Sequence, residues 1–472
     1  MRNVLILIAI ILSSLAMSCS SDTAGTPFLL TPPVSGIETG MLGYSGDYVD
    51  VDGDGHLDLL VGAPATGGGR GAVLAYPGSA SGIGNRASWV LLGQGRGDTL
   101  GYSVANIGDV DGDGADDFAV GALYAGGTSP KSGAVYVYRG GLDSPELLAT
   151  LRGDLTLDMF GYSIAGGDLN DDGLSDVVVS AMYATGAAYQ GGRVYIYFGG
   201  PAMDSSADAI INGHSANSGI GYGLETGDIN DDGVDDLFVG GGHSVEIFYG
   251  ASDLASKIAA SDEPEVIING STGGGHSGHS FGDNILYLGD IDADGIGDLA
   301  VSNWRRSSPD AVDYIGSAYV FKGSDSYPAV VEVGDPAFKI ANIVGLDRTQ
   351  TFGTALALAS DADSGGKPDL LVGSAWAQGG ISNTTKATGK VYLFSTEDLL
   401  AGGGLYNTTH ILNSYTVSSM SGEFGHVLSA GPYGDFFAGA PRLDLEKGGA
   451  FVINAATGAA LEMAPGLNGG VE

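Results

Sequence analysis

An apolar residue followed by glycine recurs at near-regular intervals at seven points along the 472-residue chain. Successive occurrences are separated by 58, 60, 60, 61, 71 and 72 residues. The seven pairs are Leu42-Gly43, Leu100-Gly101, Phe160-Gly161, Ile220-Gly221, Phe281-Gly282, Phe352-Gly353 and Phe424-Gly425. Repetition at such a period indicates one supersecondary unit that buries its apolar faces against copies of itself. The chain is therefore expected to fold as an array of seven units.

Each unit has the pattern of four short strands. A strand follows the glycine, an acidic loop comes next, and the second strand is almost entirely apolar, as in residues 117–121. A third strand alternates, as in residues 133–138, and a fourth precedes the next apolar-glycine pair. Because no long segment has helical periodicity, the chain is predicted to be all-β.

Seven four-stranded units of about 60–70 residues predict a seven-bladed β-propeller. A β-solenoid is disfavoured because its coils are much shorter. A string of separate domains is disfavoured because each unit is too small to bury its own core. The propeller is predicted to span residues 27–464, followed by a tail at 465–472. Either residues 28–30 or residues 460–463 complete the last blade, and the sequence leaves both possibilities open.

Five of the acidic loops share one register, with Asp or Asn at positions 1, 3, 5 and 9 and glycine at position 6. Oxygen atoms at this spacing can converge on one point, and the backbone carbonyl of position 7 can join them. Flexible oxygen cages suit Ca²⁺, whereas Mg²⁺ requires stricter octahedral geometry. The predicted ligands of about five calcium sites, with the position-7 residues included, are Asp50, Asp52, Asp54, His56, Asp58, Asp109, Asp111, Asp113, Ala115, Asp117, Asp168, Asn170, Asp172, Leu174, Asp176, Asp228, Asn230, Asp232, Val234, Asp236, Asp290, Asp292, Asp294, Ile296 and Asp298.

Two other interpretations of these loops are weaker. An EF-hand would need glutamate at position 12 and flanking helices, but position 12 is valine in all five loops. Asp and Gly also form ordinary turns, yet clustered carboxylates in five matching loops repel one another unless a cation is bound.

The sixth and seventh loops depart from the pattern. Asp361, Asp363 and Asp369 keep positions 1, 3 and 9 of the sixth loop, but position 5 is Gly365, which predicts a weakened site. In the seventh unit the acidic loop is absent, and residues 431–434 lead directly to Asp435.

The apolar-glycine pairs, the acidic loops and the Gly-Ala-Pro motifs at residues 62–64 and 439–441 together resemble FG-GAP repeat proteins. The best-known members are the integrin α-subunit propellers, which have many bacterial secreted relatives. The resemblance covers nearly all of residues 27–464. It implies calcium in the acidic loops, and partner binding on the opposite face or the variable loops.

The N-terminus has the pattern of an export signal. Arg2 is followed by an apolar run at residues 4–12, which is too short to span a membrane as a helix. The segment ending at Cys19 resembles a bacterial lipobox, although Ala16 stands where leucine is usual. This pattern predicts a signal peptide at residues 1–18, a lipidated Cys19 and a tether at residues 19–26. Ordinary cleavage near an incidental cysteine is the alternative.

Charge and signal together define the expected function. With 56 acidic and 19 basic residues, the net charge of −37 argues against nucleic acid and anionic membranes as partners. We expect an exported lipoprotein at the outer membrane, on the cell surface or in the periplasm, attached to membrane only through Cys19. Its expected activity is adhesion-like binding of a protein or glycan.

The alternative function is a propeller enzyme that acts on extracellular polysaccharide. Residues 278–282 match the G-x-S-x-G pattern of hydrolases, but that motif requires a strand before it and a helix after it. Here Gly-rich sequence precedes it and a predicted strand follows, so we expect no catalytic role for this motif.

Overall fold

The computed structural model describes residues 28–29, 39–126, 129–142, 144–201, 203–270, 280–305, 315–345, 351–376, 389–402, 405–407, 410–415, 422–431, 434–443, 447–455 and 460–461. It confirms the predicted seven-bladed propeller, because the described strands form seven sheets. In each sheet, the consecutive main strands of one unit pair antiparallel. The first strand after each apolar-glycine pair is at one edge of its sheet.

Strand β1 is Phe28–Leu29, and the first three blades follow in chain order. Blade 1 contains β2 to β5, at Gly46–Val49, Asp58–Gly62, Ala72–Tyr76 and Trp89–Leu92. Blade 2 contains β6 to β9, at Leu100–Gly108, Asp117–Ala122, Ala134–Arg139 and Glu146–Arg152. Blade 3 contains β10 to β13, at Phe160–Gly167, Asp176–Ala181, Arg193–Tyr197 and Ala209–Asn212.

Three of the remaining four blades, blades 4, 5 and 7, include an additional strand. Blade 4 begins with β14 to β17, at Leu224–Gly227, Asp236–Gly241, Ser244–Phe248 and Val266–Asn269. The fifth unit contains β18 to β22, at Phe281–Gly289, Asp298–Asn303, Ser317–Phe321, Val330–Glu332 and Lys339–Val344. The sixth contains β23 to β27, at Leu356–Ala359, Asp369–Ser374, Lys390–Phe394, Leu405–Asn407 and Asn413–Tyr415. The seventh contains β28 to β31, at Leu428–Ala430, Asp435–Ala440, Gly449–Asn454 and Ala460–Leu461.

Short helical segments lie in three of the described loops. They are α1 at Thr66–Gly69, α2 at Leu254–Ala260 and α3 at Thr396–Gly402. Gly67 and Gly68 of α1 have left-handed φ angles of 61° and 73°, so this segment is a turn rather than a regular helix.

The two longest units use their extra residues to extend the preceding blade. β21 comes from the fifth unit but pairs in parallel with β17 of blade 4. In the same way, β26 comes from the sixth unit and pairs with β22 of blade 5. The four-strand pattern of the repeat did not predict these strands, although the longer repeat spacings mark the two units that supply them.

The hydrophobic core lies between blades. Each of the seven apolar clusters among the described residues joins two adjacent blades. Leu60 of blade 1 packs with Phe118 and Val120 of blade 2, for example. Phe437 of blade 7 packs with Leu59 of blade 1, which closes the ring. Because none of these clusters of described residues lies within a single blade, the blades are expected to fold cooperatively.

Both proposed closing segments lie against the same strand of blade 7. β1 pairs with β30 at Phe28 and Leu29, and β31 pairs with β30 at Ala460 and Leu461. The alternatives left open by the sequence are therefore both used. A parallel bridge between Leu42 and Gly448 also ties blade 1 to blade 7.

The apolar-glycine pair is the joint between blades. Its apolar residue is at most 3% exposed in all seven units. Its glycine has φ between 81° and 96° throughout, which side chains rarely adopt. At Gly425 an added Cβ would lie 2.7 Å from the carbonyl oxygen of Lys390 in the preceding blade. Glycine is thus required here both by the backbone conformation and by the close approach of the neighbouring blade.

Replacing a joint glycine with alanine is predicted to destabilise the ring. Gly425→Ala adds the steric overlap with Lys390 to the strain of positive φ. The matched control is Gly97→Ala, because Gly97 has φ of 89° with no atom within 4 Å of the added Cβ. We expect Gly425→Ala to lower the free energy of unfolding by about 1–3 kcal/mol more than the control does. Equal effects in chemical denaturation would contradict this role of the joint.

Candidate metal sites

Each acidic loop connects the first and second strands of its blade, and backbone hydrogen bonds hold its side chains in place. In all six loops the position-1 aspartate accepts a hydrogen bond from the N–H of the glycine at position 6, at 2.8–2.9 Å. In the five full loops the position-5 aspartate accepts one from the N–H of position 7, at 2.8–3.0 Å. The loops are therefore ordered by their own carboxylates, and position 7 contributes its N–H whatever its side chain.

The position-9 aspartate is a clamp inside the fold. It is 0–1% exposed in all six loops. One oxygen accepts the N–H of position 2 of the loop, at 2.9–3.1 Å. In the five full loops the other accepts the N–H of a glycine after the third strand, at 2.5–3.0 Å. This buried carboxylate thus connects the loop to the third strand of the same blade.

Burial raises the pKa of each clamp carboxylate above its usual range. The pKa is raised to about 6 for Asp58, Asp117, Asp298 and Asp369, and to about 7 for Asp176 and Asp236. Backbone N–H groups oppose this shift, while neighbouring loop aspartates add to it. Their negative charges are therefore costly in the metal-free fold, and a bound cation would offset that cost.

Ligand atoms converge in several loops. In four loops three aspartates each offer an oxygen within 4.8 Å of the others: Asp50, Asp52 and Asp58; Asp109, Asp111 and Asp117; Asp290, Asp292 and Asp294; and Asp361, Asp363 and Asp369. The last group is in the sixth loop, where we predicted a weakened site. In the third and fourth loops, Asn170 and Asn230 occupy position 3.

The third loop provides a direct test of whether these residues fit a metal ion. Asn170 is only 8% exposed, and its side-chain Oδ1 is buried without a hydrogen-bond partner. Its Nδ2 donates to Asp176 at 3.3 Å. An orphaned amide oxygen at position 3, between Asp168 and Asp172 in the sequence, is a suitable donor for a hard cation. The residues present therefore fit a calcium ion.

Two basic side chains contact the loop carboxylates. Arg139 donates to Asp111 at 2.8 Å and lies 3.3 Å from Asp113. Lys322 donates to Asp292 at 2.9 Å and also pairs with Asp294. The predicted site residues included neither of them. Both directly precede the glycine that donates its N–H to the clamp aspartate, which we call the clamp glycine. This position in the repeat could have identified them. They offset loop charge in blades 2 and 5 when no ion is bound.

An aromatic surface lies at the end of the ring opposite the acidic loops, where the first (innermost) strand of each blade begins. In blade 2, Tyr102 is near the start of β6, whereas Asp109 follows its end, a separation of roughly 20 Å along an extended strand. Tyr44, Tyr102, Tyr162 and Tyr222 form an arc, with successive ring centroids 4.8, 5.6 and 5.6 Å apart. Each follows the glycine of its repeat. The four tyrosines are half-buried, and burial raises the pKa of each.

Two tryptophans extend this surface beyond the arc. The rings of Trp304 and Trp376 are 5.5 Å apart. Their indole N–H groups donate to Asp283 at 2.7 Å and to Glu423 at 2.8 Å. The guanidinium of Arg305, an exposed residue, lies 4.3 Å from the Trp304 ring centroid. We call the four tyrosines and two tryptophans the aromatic face.

Other predicted sites are outside the described residues or are buried. Cys19, the signal at 1–18, the tether at 19–26 and the tail at 465–472 lie outside them. Residues 278 and 279 of the hydrolase-like motif do so as well. Ser280 of that motif is fully buried, and its hydroxyl donates to Asn303 at 3.0 Å. Strand β18 follows it, as the sequence predicts. Among the described residues, no helix has the length and hydrophobicity needed to cross a membrane.

Sequence comparisons relate the chain to integrin α-subunits. Integrin alpha-5 of Xenopus laevis is 30% identical over 212 residues, covering 43% of this chain and 19% of that protein. Integrin alpha-PS5 of Drosophila melanogaster is 33% identical over 186 residues, covering 37% and 18%. The matches thus span about a fifth of each integrin. Among solved structures, the C-terminal WD40 domain of Sif2 aligns over 91% of this chain and 99% of that domain, with 12% identity and a TM-score of 0.47.

The FG-GAP repeat family model matches residues 42–76, 100–138 and 160–197. These segments cover the first three strands of blades 1, 2 and 3, including their acidic loops. The same order of strands and loops recurs in the later blades, and the described strands form a seven-bladed ring. The chain therefore contains FG-GAP repeats within a seven-bladed propeller.

Proposed function

We propose that this chain is an exported, calcium-stabilised propeller that binds a protein or glycan ligand through its aromatic face. The observation that carries the binding role is the aromatic face itself. It lies at the end of the ring opposite the acidic loops, so metal binding and ligand binding use different surfaces. The similarity to integrin α-subunits supports an adhesion-type module, which acts by binding rather than by catalysis.

The donor set supports calcium as the bound metal. The loops offer only oxygen ligands, from carboxylates, amides and backbone carbonyls, and calcium accepts six to eight of these in flexible geometry. In this proposal the side chains at positions 1, 3 and 5 hold the ion, with the carbonyl of position 7 and the clamp at position 9. Bound calcium offsets the charge of the loop and so favours its folded conformation.

The N-terminal signal supports export. Calcium sites of extracellular modules commonly have dissociation constants of about 10⁻⁴–10⁻³ M, so they fill outside the cell and remain empty in the cytosol. In the proposed protein, residues 1–18 direct export and Cys19 carries the lipid. Calcium then stabilises the exported ring without any disulfide, since Cys19 is the single cysteine of the chain.

The chemistry of the aromatic face suits either class of ligand. Half-buried aromatic rings present apolar surface with little conformational freedom to lose on binding. Tyrosine phenols are neutral at physiological pH, and burial raises the pKa of these four further, so their hydroxyls can donate hydrogen bonds. Arg305 adds a positive charge beside Trp304. This combination can recognise side chains of a protein or the faces of sugar rings.

The pH dependence of stability is predicted to depend on calcium. The clamp carboxylates have pKa values of about 6–7 in the fold, against an ordinary value of 3.8. Between these values the folded chain binds more protons than the unfolded chain. The clamps therefore lower the free energy of unfolding of metal-free protein as pH rises from about 4 to 7. Saturating calcium binds the deprotonated form, so in its presence the same rise in pH should increase stability.

Thermal melts of one preparation, with and without calcium, would measure this. The metal-free sample is dialysed against chelator and then exchanged into metal-free buffer. Melting temperatures that follow the same pH curve in both buffers would contradict calcium binding at the clamped loops.

Loss of aromatic rings is predicted to abolish ligand binding while the fold is retained. The double variant Tyr102→Ser/Trp304→Ala removes one ring from the arc and one from the tryptophan pair. Screening wild-type protein on glycan and extracellular-protein arrays first identifies a ligand, and the variant should then bind it at least tenfold more weakly. Leu412→Ser is the control, because Leu412 is 40% exposed and precedes β27 at the metal-loop end. A variant that binds as well as this control would contradict the proposed surface.

A further inference from the structure

The sixth loop lacks one carboxylate of the full pattern but still gathers the other three. Asp361, Asp363 and Asp369 each offer an oxygen within 4.8 Å of the others. Asp361 accepts hydrogen bonds from the N–H groups of Gly365 and Gly366, at 2.9 and 2.8 Å. The backbone arrangement thus matches the full loops, and only the side chain at position 5 is missing.

A glutamate from another segment lies in the place of that side chain. If Gly365 carried a Cβ, that atom would be 2.5 Å from Oε2 and 2.7 Å from Oε1 of Glu397. These separations are close to those between Cβ and the carboxylate oxygens within an aspartate. Glu397 is in the first turn of α3, after the third strand of blade 6. The fold therefore puts a carboxylate where position 5 would supply one.

Two carboxylate oxygens at the sixth loop are buried without hydrogen-bond partners, namely Oε1 of Glu397 and Oδ1 of Asp369. Asp369 is 0% exposed. In the full loops the corresponding oxygen accepts the N–H of the clamp glycine, but here Thr396 occupies that place. The N–H of Thr396 lowers the pKa of Asp369. It does not form a hydrogen bond of normal geometry with Oδ1 of Asp369. Orphaned buried carboxylate oxygens are expensive unless a cation coordinates them.

Helix capping alone does not explain the position of Glu397. A first-turn carboxylate is favourable near a helix N-terminus, but it needs no buried position against a neighbouring loop. Asp398, in the same turn, is exposed. Lys367, at position 7 of the loop, donates to the carbonyl of Ile291 in blade 5.

We propose that the sixth loop is a further calcium site, in which Glu397 supplies the carboxylate that Gly365 lacks. Asp361, Asp363 and Asp369 supply the others. The inference rests on the proposed function, because it assumes that the full loops bind calcium. It adds a ligand that is distant in sequence from the loop motif.

Counting bound ions tests the proposal. Equilibrium dialysis uses calcium well above about 10⁻³ M, with excess monovalent salt to suppress nonspecific binding. We expect six ions per wild-type chain and five for Glu397→Ala, which has no side-chain oxygen. Asp398→Asn removes a charge from the same helical turn and should retain six. Circular dichroism confirms that each variant is folded.

A rescue variant separates loss of a ligand from loss of structure. Glu397→Ala should bind five ions, and Gly365→Asp/Glu397→Ala should bind six, because the new aspartate restores the full motif in the space that the glutamate leaves. Five ions in wild type, or six in Glu397→Ala, would overturn the sixth site while leaving calcium binding intact. No bound calcium in wild type would overturn the proposed function as well.

Discussion

The buried aspartate at the start of the second strand in blades 1 to 6 is the constraint on which the acidic loops depend. In six blades this carboxylate accepts the N–H of position 2 of its loop. In five it also accepts an N–H after the third strand, so one side chain holds three segments together. Burial raises its pKa, and the aspartates of the loop raise it further. A cation among these carboxylates offsets both effects, which is the physical reason for interpreting the loops as metal sites.

The end of each innermost strand that lies opposite the acidic loop forms the contact between neighbouring blades. There the apolar-glycine pair brings a new blade against the previous one, through a buried apolar side chain and a glycine with positive φ. The residue after this glycine is a half-buried tyrosine of the aromatic face in blades 1 to 4. In the proposed function, the repeat thus separates three tasks along one strand: recognition of a ligand, the joint between blades, and binding of a metal ion. Much of the acidic charge of the chain belongs to the last of these.

The features that recur in every unit could be predicted from the sequence, whereas most features particular to one blade could not. Seven matching dipeptides and apolar runs such as Asp117–Ala122 identified the blades, because every unit must bury the same faces. The strands β21 and β26 were missed because each pairs with the preceding unit, and no local pattern identifies a partner so distant in sequence. Glu397 was missed for the same reason, since its relation to Gly365 exists only in the folded blade. Arg139 and Lys322 did have a local signal, as basic residues directly before the clamp glycines.

The central claim is that the acidic loops are calcium sites built into a closed ring. Anomalous diffraction from crystals grown with calcium measures this most directly. We predict a peak in each loop of blades 1 to 6, surrounded by the carboxylate or amide oxygens of that loop, with Glu397 beside the sixth. Loops without peaks, in which Arg139 and Lys322 remain paired with the aspartates and water fills the other loops, would contradict it.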